Sequence, residues 1–195
     1  CERHSIALVF VADPRETACE LSPTDSKTET LTGYDWRMSD EIDNSARVVD
    51  SEIGKSMVRE FVTIHDSSIG DDCEIYERTS IKKSQLGDDV VVNAGNYVEN
   101  AEIGNEVQIG PNSSVVGVTH NLKKAGMELH NDVFERIILE AGVFIGAGAV
   151  IAPGIEIGVD TVVAAGAVVT RDIGARKIVI GAPPSQEVVD LQDWV

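Results

Sequence analysis

The chain has 195 residues, with 33 acidic against 16 basic side chains, a formal net charge of −17 and only 5% aromatic residues. A polyanion of this strength is repelled by nucleic acid and by anionic membranes, which excludes binding to either by bulk attraction. The early apolar run, Ile6 to Ala12, is too short to cross a membrane and lacks a convincing cleavage site.

The three cysteines (Cys1, Cys19, Cys73) are an odd number at no ligand spacing, so neither a disulfide framework nor a zinc cluster is expected. A reducing cytoplasm fits them. The acidic, lysine-poor composition points to a halophilic protein, whose hydrated surface stays soluble in high salt while its self-repulsion is screened.

In chain order, residues 1–41 come first and carry no repeat. Residues 20–33 are rich in Ser, Thr, Asp and Glu and read as a loose arm or linker. Met38 is a candidate start, because MSDEIDNSARV leads directly into the first repeat.

From residue 42 to 184 a six-residue grammar takes over: an aliphatic residue at position one, often Gly at two, and a small or aliphatic residue at five. The units starting at Ile69, Leu86 and Ile103 begin turns 17 residues apart (86−69 and 103−86), each losing one residue to a five-residue unit such as IKKSQ. Six unbroken units then run from Leu139: LEAGVF, IGAGAV, IAPGIE, IGVDTV, VAAGAV and VTRDIG. No charge falls at position one or five. A period of six is neither helical nor that of a flat strand. A three-sided coil satisfies it, with each hexapeptide a short strand plus a corner and three making a turn of about 18 residues. Position-one aliphatics stack inside, and successive turns pair as parallel strands. Gly at the corners is expected to supply positive φ.

One coil does not close. After IGNEVQIGPNSS the third side reaches VGVTH and gives way to a polar excursion, about 120–136, before the repeat resumes near Ile137. A long insertion in so regular a solenoid reads as functional, and it begins at His120. The last segment, 185–195, reads as a short C-terminal capping helix, with Ser185 as N-cap and Val188, Val189, Leu191 and Trp194 covering the open end.

These repeats resemble the hexapeptide-repeat (isoleucine-patch) acyltransferases. The stretch IGNEVQIGPNSSVVGVTH (103–120) followed by VFIGAGAVIAPGIEIG is similar to the galactoside and maltose-type sugar O-acetyltransferases. The resemblance implies an all-β fold, a left-handed parallel β-helix, and a homotrimer with sites between subunits. It implies acetyl-CoA as co-substrate and a hydroxyl of a sugar or related small acceptor as the group acylated. His120 stands where that family has its general base, which takes the acceptor proton as the oxygen attacks the thioester. No acyl-enzyme is needed, so no Cys or Ser nucleophile is invoked.

Asn93 carries over as an acceptor-binding residue, while Asn96, at a position five, suits an internal asparagine ladder. Ala147, Ala165, Gly166, Thr170 and Arg171 carry over as the acetyl-CoA site. Small residues there admit the pantetheine arm, and Arg171 would serve the phosphates. IVIGAPPSQEVV departs from the family's closing G-N-P-A-K: Ala182 and Pro184 replace Asn and Ala, and the basic residue is missing. His130 is the reserve base, Glu128 a candidate to orient an imidazole, His65 is read as pointing outward, and His4 is given no role.

Rival readings are a xenobiotic acetyltransferase, a γ-type carbonic anhydrase and a non-catalytic β-helix. The anhydrase needs three zinc histidines on neighbouring turns, whereas His65 and His120 are 55 residues apart (120−65) and His130 sits in the excursion.

Overall fold

The computed structural model describes residues 41–123, 126–183, 185 and 187–190. The expected arm up to residue 40 and Leu191 and Trp194 lie outside them. Within the described residues the chain is all-β. Short strands form three sheets of seven, six and eight strands, parallel except for the last strand of the eight, plus a two-stranded hairpin. The chain visits the three sheets in rotation, so each circuit is one coil of a triangular solenoid.

The repeat sets this geometry through its inward positions. On the first face Ile64, Ile81, Val98, Val115, Ile151 and Val169 stand in register from coil to coil. Leu86, Ile103, Leu139 and Ile157 line the second face, and Val92, Ile109, Ile145, Val163 and Val179 line the third. All are buried and belong to one core. The position-five residues Val143, Ala149, Ile155, Thr161, Ala167 and Ile173 are buried too. No coil could bury these side chains alone; stacking removes them from water at about 25 cal/mol per Å².

The glycines divide into two kinds, which corrects the sequence reading. Positive φ falls at position four of the unit, at Gly142, Gly148, Gly154 and Gly166, with Asp160 in the same place. Position-two glycines answer a different demand. A Cβ on Gly146 would lie 2.4 Å from the Ala165 nitrogen, and one on Gly110 would lie 2.6 Å from the Ala147 nitrogen. There the next coil's backbone presses against the Cα.

The 17-residue turns lose their residue at one corner, between the first and second faces. At that corner Asp50, Asp66, Lys83 and Asn100 take positive φ, each directly before Ser51, Ser67, Ser84 or Ala101. The serines form a ladder. Ser67 N donates to Ser51 Oγ, Ser84 N to Ser67 Oγ, and Ala101 N to Ser84 Oγ, each at 3.1 Å.

The C-terminal segment is a strand, not a helix. Glu187–Asp190 pairs antiparallel with Lys177–Ile180, and Ser185 N bonds Ala182 O at 3.0 Å in a turn rather than capping a helix. The β-branched pair Val188–Val189 suits a strand, and the last coil offers an unpaired edge that needs covering. Val188 packs against the core, so residues 187–190 meet the last coil by strand pairing.

Candidate active site

The polar excursion is an antiparallel hairpin, Val118–Lys123 with Gly126–Phe134, rising from the corner between the first and second faces. Its root is locked into the coil. Gly117 O accepts Glu135 N at 2.9 Å and the buried Asn100 side-chain amide at 2.8 Å. Only glycine fits at 117, since a Cβ would meet Asn100 O at 2.4 Å. Lys83 lies over the Phe134 ring, 4.4 Å from its centroid, tying the hairpin base to the coil before it.

The register pairs His120 with Asp132, and the side chains meet: Nδ1 lies 3.1 Å from Asp132 Oδ1. Pairing breaks immediately after, between His120 and Leu122, where the return strand carries extra residues. Such irregularities re-aim side chains next to functional sites. Both partners are about half exposed, 48% and 50%, so the contact orients the imidazole rather than stabilising the fold. In the tautomer that gives Nδ1–H to the carboxylate, Nε2 keeps its lone pair as a proton acceptor.

Asp132 was not identifiable from sequence, because its pairing depends on a hairpin register that no repeat announces. His130 is exposed with φ +61°, and the side chain of Glu128 is outside the described part. His65 is half-buried on the first face beside Lys82.

Asn93 starts a different corner, between the third and first faces. Its amide donates to Ile109 O at 3.0 Å, leaving the amide oxygen for other partners. Asn96 is buried and turned inward, with its oxygen accepting Ser113 N at 2.7 Å, so it is a coil-to-coil bridge. Ala147, Ala165 and Gly166 lie further along the Asn93 corner, stacked through Gly166 N to Ala147 O at 2.8 Å, and all three are exposed. Beyond Gly148 and Gly166 a Cβ would meet nothing within 4 Å, so the corner is open to a chain-like ligand. Thr170 and Arg171 are exposed at the hairpin's own corner, further toward the C-terminus. Within one chain the expected residues therefore form two groups: His120, Thr170 and Arg171 at one corner, and Asn93, Ala147, Ala165 and Gly166 at another.

Cys73 is the one cysteine among the described residues. Burial pushes the Cys73 thiol up, and it is enclosed in the core beside Gly87 O at 3.1 Å.

Residues 136–171 match the hexapeptide repeat of succinyl-transferases. That match covers 36 residues, and the stacked coils before it follow the same six-residue spacing. Galactoside O-acetyltransferase of Lactococcus lactis is 35% identical over 78 residues, 38% of this chain and 36% of that protein. A 2,3,4,5-tetrahydropyridine-2,6-dicarboxylate N-acetyltransferase of Staphylococcus aureus is 42% identical over 59 residues, 29% of this chain and 25% of that protein. The chain thus spans about a third or less of the curated relatives it matches. Among solved structures, a variant of AntD, an N-acyltransferase from Bacillus cereus in complex with dTDP-4-amino-4,6-dideoxyglucose and coenzyme A, superposes with a TM-score of 0.62. It is 17% identical, over 73% of this chain and 83% of that one. A hexapeptide-repeat-containing acetyltransferase from Vibrio cholerae superposes with a TM-score of 0.52 at 24% identity, over 75% and 74%. At these identities the likeness is one of fold.

Proposed function

We propose that this hexapeptide-repeat chain is an acetyl-CoA-dependent O-acetyltransferase acting on a hydroxyl of a sugar or related small acceptor. The observation that carries the reading is the His120–Asp132 pair on the single hairpin that breaks the described coils. Asp132 holds the imidazole with Nε2 free. Nε2 takes the acceptor hydroxyl proton as that oxygen attacks the thioester carbonyl. The tetrahedral intermediate collapses with loss of the CoA thiolate, which the imidazolium protonates. Galactoside O-acetyltransferase among the relatives supports an oxygen acceptor.

The acetyl-CoA arm would run along the open corner of Ala147, Ala165 and Gly166, with a second copy bringing Arg171 and Thr170, which share the hairpin's corner, toward its polar end. Since the base and that corner are on different edges of one prism, a complete site needs a second copy, and a homotrimer closes the arrangement symmetrically. A cytoplasmic protein working at high salt remains the expectation from composition.

An amine acceptor is the second reading, favoured by the N-acetyltransferase and N-acyltransferase relatives. An acceptor screen with acetyl-CoA, reading free thiol and acetylated product, separates the two. Sugar hydroxyl esters are expected, with turnover falling about 10²–10⁴-fold in His120→Ala. Amide products alone would shift the reading to N-acetylation; undiminished turnover in His120→Ala would end it.

A further inference from the structure

The hairpin that carries His120 and Asp132 is bonded at its root to a buried side chain of the preceding coil, Asn100. We propose that Asn100 is a positioning residue for acetyl transfer: its amide grips Gly117 and so fixes where the imidazole points. The inference rests on the reading of His120 as the base and deepens it.

Asn100 occupies a place that recurs in the earlier coils. Asp50, Asp66 and Lys83 stand there, each at positive φ and each exposed, whereas Asn100, at φ +54°, is buried. A buried amide is costly unless it is hydrogen-bonded, and here the bond goes to the hairpin. Nδ2 donates to Gly117 O at 2.8 Å, directly before the outgoing strand Val118–Lys123. The backbone of the same residue holds the returning leg, with Asn100 O accepting Ile137 N at 3.1 Å. The end of the serine ladder accounts for that second bond. The ladder stops at Ala101, which has no hydroxyl to offer, and Ile137 is the residue paired with Ala101. Ile137 N turns to Asn100 O instead. One residue thus joins both legs of the insertion to the coil before it.

The grip bears on the base because the pairing between root and site is unbroken. Val118 pairs with Phe134, Thr119 with Val133 and His120 with Asp132, and the register shifts only beyond His120. Directly opposed residues share a face of an antiparallel ladder, and residues two apart along a strand return to it. His120, Asp132, Val118 and Phe134 therefore share one face, and Phe134 is the ring that meets Lys83 of an earlier coil. A tilt at Gly117 is carried three residues along the strand to His120 with no irregularity to absorb it. A misplacement of about 1 Å at a reacting group costs on the order of 10²-fold in rate. The grip also needs a donor, since its partner is a carbonyl. An aspartate of the same shape, once ionised, accepts only and would repel Gly117 O.

The test compares Asn100→Gly, Asn100→Asp, His120→Ala and, as a structural control, Ser67→Ala in the full chain. Turnover is read as thiol release from acetyl-CoA with the best acceptor among methyl galactoside, maltose and glucosamine. Hairpin order is read as amide exchange over residues 118–134. Asn100→Gly accepts the positive φ but loses the donor. It should lower kcat about 10- to 100-fold, leave KM for acetyl-CoA within about twofold and speed exchange in the hairpin. Asn100→Asp should lose as much above neutral pH. Its turnover relative to wild type should climb as the pH falls, because a protonated carboxyl again donates to Gly117 O. Lys83 and Arg136 line the recess beside position 100, and Glu99 and Glu135 flank it, so these charges set where the recovery begins. Ser67→Ala breaks another buried hydrogen bond of the same corner, from Ser84 N to Ser67 Oγ. It should lower the melting temperature at least as far as Asn100→Gly and leave kcat in place. Wild-type kcat in both Asn100 variants, or an equal kcat loss in Ser67→Ala, would overturn the positioning role while leaving acetyl transfer standing. Unchanged hairpin exchange in Asn100→Gly would overturn the grip itself, and a relative turnover of Asn100→Asp that ignores pH would overturn the donor. Full turnover in His120→Ala would instead remove the acetyltransferase reading and, with it, the role proposed for Asn100.

Discussion

The coils and the hairpin are built on opposite principles. In the coils each residue is fixed by the residue one turn above and one below, so inward positions repeat and a glycine at position two faces the next coil's backbone. In the hairpin, Val118–Phe134, the residues are fixed mainly by one another and by the root at Gly117 and Asn100. At their inward positions the coils therefore tolerate little local change, and only their exposed corners are left for ligands. The hairpin asks little of the core and carries the one imidazole–carboxylate pair among the described residues. Substitutions should thus separate cleanly into those that unfold and those that silence.

The largest expected effect is in the coils. Gly146→Leu drives a side chain into the Ala165 backbone, where a Cβ alone would sit at 2.4 Å. It should cost at least about 3 kcal/mol, read as a fall in the denaturation midpoint. In the hairpin, Asp132→Asn should lower turnover by about tenfold or more by loosening the imidazole, with the denaturation midpoint unmoved. Equal loss of stability and activity there would contradict the division. Smaller still, Gly148→Ala places its Cβ in open space but at φ +67°, so it should cost only about 1 kcal/mol. The contrast with position 146 isolates backbone crowding from backbone conformation. Least of all, Phe134→Ala removes the contact with Lys83 and should cost under ~1 kcal/mol, seen best as faster amide exchange at the hairpin root.

The same division explains what the sequence made readable. Ile145, Ile151, Ile157 and Val163 announce themselves because stacking repeats the same demand every six residues. His120 was legible because it stands where that demand stops. Asp132 was not, since hairpin register depends on a local break in pairing that leaves no periodic trace. The Ser51–Ser67–Ser84 ladder was visible only as five-residue slips. The C-terminal strand was missed because a short Val–Val segment is decided by the unpaired edge it meets, which only the folded coil supplies.

The central claim is that the base of one chain works on the thioester held at another chain's open corner. It is tested most directly by mixing two inactive variants, His120→Ala and Ala165→Trp, after reversible dissociation. The first lacks the proposed base and the second blocks the proposed acetyl-CoA corner. The account predicts that the mixture regains acetyl transfer, because some sites then join an intact hairpin to an intact corner. A mixture as inactive as its parts at every ratio, with subunit exchange verified, would contradict it.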